Sequence, residues 1–174
     1  SAWSMDLRGP IGKNRRNTDN YMLLIVDNVS RYMMVSTHPN KDEKNIKQQI
    51  KNNINIIEKQ FNRKVQQIIS DHGSEFNNST LKSYFDAKGI VHILADVGDH
   101  ASNARAERYI GVMNSDLRVL MSSRVPWNLW PYAIQSAARA RNCSYKKAIK
   151  TSPIKLLSSN KAIVKLKSFI PFGA

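Results

Sequence analysis

The order of apolar runs along this chain predicts an α/β fold, a five-stranded mixed sheet flanked by helices. Three observations carry that expectation. The run YMLLIVD (Tyr21–Asp27) is almost continuously apolar and of strand length, as in a strand buried on both faces. YMMVST (Tyr32–Thr37) follows after the tight turn NVSR, so the two form an antiparallel meander. The remaining strand-length runs are each set off by a helical segment, giving three strands, helix, strand, helix, strand and then helices.

The first strand is AWSMDL, closed by Gly9 and Pro10, and the polar, basic stretch IGKNRRNTDN leads to the second. His38, Pro39 and Asn40 end the meander. From Asp42 the period changes: Ile46, Ile50, Ile54, Ile57 and Phe61 make one apolar stripe among Lys and Asn, which is a long amphipathic helix. VQQIIS is the fourth strand, FNNSTLKSYFDAKG a helix closed by Gly89, and IVHILA the fifth strand. Helical patterning resumes from about Ala101 to Met121 and from about Pro126 to Tyr145, with Trp127 and Trp130 in the first turn of the latter. There is no repeat and no low-complexity segment. The expected organisation is a core over residues 1–150 and a partly extended C-terminal extension over 151–174, lying on the surface after Pro153.

Bulk composition narrows the function. A chain of 174 residues with 41% hydrophobic residues is one domain's worth of soluble, globular sequence. Its 27 Lys and Arg against 13 Asp and Glu give a net charge of +14 and a pI near 10.1, which favours a polyanionic partner, most simply nucleic acid. No amphipathic helix combines a basic face with exposed Trp or Phe, and no apolar run approaches the roughly 18 residues of a membrane span, so no membrane partner is expected. The single cysteine, Cys143, excludes an intramolecular disulfide, fits a reducing compartment and reads as a small buried hydrophobe. The opening SAWSMDL reads as an internal start within something longer.

The acids are placed where chemistry is possible. Asp6 lies in the first strand, Asp71 just past the fourth, and Glu107 in the first turns of the helix after the fifth. If the first and fourth strands are neighbours, their ends bring Asp6 and Asp71 together, and the later helix leans Glu107 against them. Three carboxylates so gathered repel one another unless a counter-charge intervenes. A divalent cation such as Mg²⁺, which seeks hard oxygen ligands, supplies it.

Between Asp71 and Glu107 lie 35 residues, and each acid sits in a patterned context. DLRGPIG, IVDNVSRYMMV, DHGSEF, ARAERYIGVMNSDLRVLM and VPWNLWPYAIQSAARARNCSYKKAIKTSPIKLL follow in order, and PFG stands near the end. This ordered set resembles the D,D(35)E catalytic core of retroviral and LTR-retrotransposon integrases, most closely that of the copia-type (Ty-like) elements. It departs from that pattern in the loop DVGDHASNARAER, in Ala104 where a glycine is common, and in Tyr109–Ile110–Gly111 after the last acid.

The resemblance implies an RNase H-like fold and a Mg²⁺-dependent polynucleotidyl transferase. Two Mg²⁺ ions, replaceable by Mn²⁺, would sit about 3.5–4 Å apart. They would be held by Asp6, touching both, with Asp71 on one and Glu107 on the other. Implied substrates are element cDNA ends, trimmed by water and then joined through their 3′-hydroxyl to target DNA. It further implies a homodimer or higher oligomer, for which the Ile46–Phe61 or Trp127–Tyr145 helix could serve. Work in the nucleus, after assembly in cytoplasmic virus-like particles, is implied too. Arg105 and Arg108, with His100 and Asn103 in the adjoining loop, are the expected DNA contacts. Arg118, Arg124, Lys146 and Lys147 stand as remote surface residues.

Blander readings stand beside these. Asp27 also ends an apolar strand and rivals Asp6. Glu75 and His72 read as bystanders of a turn, and Trp127 and Trp130 as core packing. Competing functions are a DDE transposase or RNase H-type nuclease on the same fold, and a non-catalytic, domesticated DNA-binding copy.

Overall fold

A computed structural model describes residues 1–11, 19–95, 104–122 and 125–158. The described residues form five strands, β1 (Ala2–Arg8), β2 (Tyr21–Asp27), β3 (Met33–His38), β4 (Gln67–Ser70) and β5 (Val91–Leu94). With them are helices α1 (Glu43–Phe61), α2 (Ser79–Lys88), α3 (Ala104–Ser122), α4 (Trp130–Cys143) and α5 (Pro153–Leu157). The sheet order is β3-β2-β1-β4-β5; β1, β2 and β3 pair antiparallel, while β4 joins β1 and β5 in parallel. This is the expected mixed sheet, with the first and fourth strands side by side. No helix among the described residues is long and apolar enough to cross a membrane.

Strand alternation divides the core into two layers. On one face, Trp3 and Met5 of β1 and Leu23 and Ile25 of β2 pack with Ile46, Ile50, Ile54 and Ile57 of α1 and with Leu81 and Phe85 of α2. The opposite face presents Met22, Leu24 and Val26 to Ala106, Ile110, Met113 and Leu117 of α3 and to Trp130, Ala133 and Ile134 of α4. The α1 stripe read from the sequence is therefore spent on the core. Each of its four isoleucines is at most 1% exposed, contributing roughly 1.5–3 kcal/mol relative to exposure. Trp130 lies in the core with its indole N–H donating to the Asp19 carbonyl at 3.0 Å, and Trp127 packs against it.

Several local expectations are corrected. The helix expected from Phe76 begins at Ser79, because Asn78 accepts the Leu81 N–H at 2.9 Å and caps it there. Phe76 belongs to the preceding turn and is buried in the first layer. The helix expected from Pro126 opens as a 3-10 turn over Trp127–Leu129 before α4 proper, which starts beside Pro131. At the start of the expected C-terminal extension (151–174), residues 153–157 form α5, whose Leu157 enters the first core layer; residues 159–174 lie outside the described residues. Cys143, expected buried, is only partly so.

One link between layers stands on a single amide. Asn142 of α4, in the RNCS stretch, accepts the Met33 N–H at 2.8 Å and donates to the Met33 carbonyl at 2.7 Å. It is buried and acts as a surrogate strand partner for the edge of β3. Asn142→Ala leaves two buried backbone groups without partners, so we expect a loss of about 2–4 kcal/mol in denaturant unfolding. A loss under about 0.5 kcal/mol would contradict that role.

Candidate active site

The parallel pairing of β1 with β4 sets the geometry. Trp3 aligns with Ile68 and Ser4 with Ile69, and that register, continued one residue past the end of β4 at Ser70, brings Asp6 level with Asp71. Paired residues of parallel strands project to one face. Asp6 is paired with Leu24 on its other side, and Leu24 belongs to the α3–α4 layer. Both aspartates therefore stand at the strand ends on the face covered by α3, the helix whose first turn carries Glu107.

Electrostatics record the same convergence. Burial pushes the Asp6 carboxyl from its ordinary 3.8 up to about 6, and the charges of Asp71 and then Glu107 add to the rise. A backbone hydrogen bond at Leu7 and the nearby Arg8 oppose it. Asp71 and Glu107 are exposed and Asp6 is half-buried. Thus Asp6 is the inner acid of the three, the one that cannot remain charged without cost.

Asp71 is held by its own turn. Its Oδ1 accepts the Gly73 N–H at 3.0 Å, and the Gly73 carbonyl accepts the N–H of Phe76 at 2.9 Å and of Asn77 at 2.8 Å. Behind it, Ser70 Oγ lies 3.0 Å from the Asp71 carbonyl and 2.8 Å from His92 Nε2; a hydroxyl donating to the carbonyl receives the imidazole N–H. Gly73 is not in a left-handed conformation. Its missing side chain instead leaves room for the Glu75 carboxylate, which a Cβ would meet at 2.8 Å. His72 is exposed.

Asp27, the rival to Asp6, is disposed otherwise. It pairs with Trp3 and by alternation shares the face of Leu23 and Ile25, opposite to Asp6. Its Oδ2 accepts the Ser30 N–H at 2.6 Å, fixing the turn between β2 and β3.

Of the expected DNA contacts, Arg105 and Arg108 line a groove of roughly 650 Å³ beside β1 and β4, whereas His100 and Asn103 lie outside the described residues. Arg105 is partly committed to structure, since its guanidinium donates to the Asn28 carbonyl. The same groove gathers Arg31, Tyr109, Arg141 and Lys146, none of them among the DNA contacts expected from the sequence. Arg31 stood in the SR pair of the meander. For Arg141 and Lys146 no spacing signal existed, because α4 and the segment after it reach the groove only through tertiary packing.

Two carboxylates at the strand ends and one on α3, the first destabilised as an anion by burial and by the other two, are a donor set of the kind that suits a hard divalent cation. Among the described residues, however, no three His, Cys, Asp or Glu side chains are drawn close enough to form a finished metal cage. The acids are nonetheless within electrostatic reach of one another, since the charges of Asp71 and Glu107 both act on Asp6.

Strand order, two-layer core and paired aspartates at neighbouring strand ends define an RNase H-like α/β domain. Residues 1–100 match the integrase core domain, and the chain belongs to that family. Its fold is also that of a chain in the simian T-cell lymphotropic virus intasome, solved in complex with PP2A regulatory subunit B56 gamma. The TM-score is 0.72 at 15% identity, over 90% of this chain and 53% of that one. The present chain thus spans about half the length of the chain it matches.

Proposed function

We propose that this domain is the catalytic core of a copia-type retrotransposon integrase, a Mg²⁺-dependent polynucleotidyl transferase acting on element cDNA ends and target DNA. Asp6, Asp71 and Glu107 would hold the divalent ions. The single observation that carries this reading is the β1–β4 register, which stands Asp6 beside Asp71 under the helix bearing Glu107, in a chain of the integrase core family. When bound, a pair of divalent ions supplies activation of the attacking oxygen and stabilisation of the leaving one in an in-line displacement at phosphorus.

The chain's own residues do the rest. Asp6, inside, and Asp71, on its turn, fix two carboxylates to rigid strand ends. Glu107 approaches from a separate element, so the position of α3 sets how far the acids close. Arg105 anchors the start of α3 to the β2–β3 turn through Asn28. The attacking group is water in end trimming and a DNA 3′-hydroxyl in joining, so no nucleophilic side chain is required. In the full reading the protein acts as a dimer or higher assembly in the nucleus, after assembly in cytoplasmic particles.

Resealing of a branched DNA, the reverse of joining, is the fit test for a core domain. We expect it with Mg²⁺ or Mn²⁺ and not with EDTA. Divalent-independent turnover at the wild-type rate would contradict the proposal.

A further inference from the structure

The groove beside the acids collects more positive charge than the structure neutralises. Arg141 is paired with Asp116, its Nη2 donating to Oδ1 at 2.6 Å, and Arg105 is bound to the Asn28 carbonyl. Arg31, Arg108 and Lys146 have no carboxylate at ion-pair distance among the described residues. At the centre lies Tyr109, its phenol pushed up by burial while Arg31, Arg108 and Arg141 pull it back, so three guanidinium groups act on one hydroxyl. Lys146 stands over the same ring, its ammonium 5.7 Å from the centroid. Burial and then the charge of Arg141 weaken the protonated state of that lysine, with Asp116 opposing them in part. Cations crowded in this way favour an anion among them.

The floor of the groove says which anion. It includes Ser4 and Ile69, each two residues before Asp6 and Asp71 and on the same strand face. Two strand residues span about 7 Å, so the groove opens directly alongside the acids. A polymer with regularly spaced negative charges could occupy both places at once, as an isolated small anion could not. The net charge of +14 makes such a polymer the expected partner.

We propose that Arg31, Arg108, Lys146 and Tyr109 form a phosphate-binding groove that carries the DNA strand away from the acids at Asp6 and Asp71. This rests on the integrase reading but concerns binding, not chemistry. Arg31, on the β2–β3 turn with a left-handed backbone (φ 66°), and Lys146, beyond α4, form its two walls. The groove grips backbone phosphates without reading sequence.

The test is fluorescence anisotropy of a labelled duplex DNA in EDTA, titrated over a range of salt. The Arg31→Gln/Lys146→Gln pair should weaken binding about tenfold or more and make the plot of log affinity against log salt shallower by about 1.5–2. The Arg108→Gln/Lys146→Gln pair should do the same without touching the left-handed residue. A control pair of equal charge change on the opposite layer, Lys44→Gln/Lys59→Gln, should alter the slope by less than about half as much. If both groove pairs behave like the control, the groove does not hold DNA and the proposal falls. A groove that instead bound poly-glutamate more tightly than DNA would also overturn it. Loss of branched-DNA resealing in the wild type with groove-dependent binding intact would sink the catalytic reading and leave the groove standing.

Discussion

Replacing Asp6 with asparagine should stabilise the metal-free protein near neutral pH while abolishing its activity. Asp6 titrates at about 6 in the folded chain against an ordinary 3.8. Between those values the folded protein keeps a proton that the unfolded chain has released, so stability falls as pH rises through this window. Below it the acid is neutral in both states and costs nothing. Above about 6 the full penalty is present, on the order of 3 kcal/mol for the gap between the two values. Asparagine keeps the shape and removes the charge. Urea unfolding should therefore show Asp6→Asn ahead of wild type at about pH 7.5 and level with it at about pH 4. Equal destabilisation at both values would mean that Asp6 is held by contacts its charge supports, contrary to the account. Millimolar Mg²⁺ or Mn²⁺ should close the gap at neutral pH by stabilising only the wild type, because a ligand of the folded state raises its stability by mass action.

The second large effect concerns the two outer acids. Asp71→Asn and Glu107→Gln should each reduce Mg²⁺-dependent resealing by about a thousandfold or more, the scale seen when a group stabilising developing charge is removed. DNA binding measured in EDTA should stay within about threefold of wild type, since neither acid lines the basic groove. The Asx turn survives in the first variant, because the amide oxygen can still accept the Gly73 N–H. Loss of activity there would thus report the missing charge, not a collapsed turn. Near-wild-type resealing by either variant would remove that residue from the site. The two acids are exposed, so each change should alter stability by no more than about 0.5 kcal/mol, whereas Asp6→Asn should raise it near neutral pH.

What was legible in the sequence follows from which signals are local. Strand ends and an amphipathic period are local, so the two aspartates, the α1 stripe and the element order could be read directly from residues such as Ile46 and Ile50. The preference for Asp6 over Asp27 rested on the resemblance of DLRGPIG to the family pattern; strand pairing adds that the two acids face opposite sides of the sheet. The start of α2 was misplaced because Phe76 extends the apolar period, while the stop signal was one side-chain oxygen on Asn78. The groove was the least legible. Arg31, Arg108 and Lys146 come from three elements, and only the packing of α3 and α4 on the sheet brings them to one ring, that of Tyr109. Asn142 likewise looks like an ordinary polar helix residue until it is seen holding Met33.

The central claim is that Asp6, Asp71 and Glu107 form one divalent-ion site at the end of the β1–β4 pair. Anomalous diffraction from a crystal soaked in Mn²⁺ tests it most directly. A strong peak is expected between the Asp6 and Asp71 carboxylates, with Glu107 drawn toward it, and no such peak in a crystal of Asp71→Asn. Mn²⁺ bound only elsewhere on the surface, with Asp6 and Asp71 left apart, would contradict it.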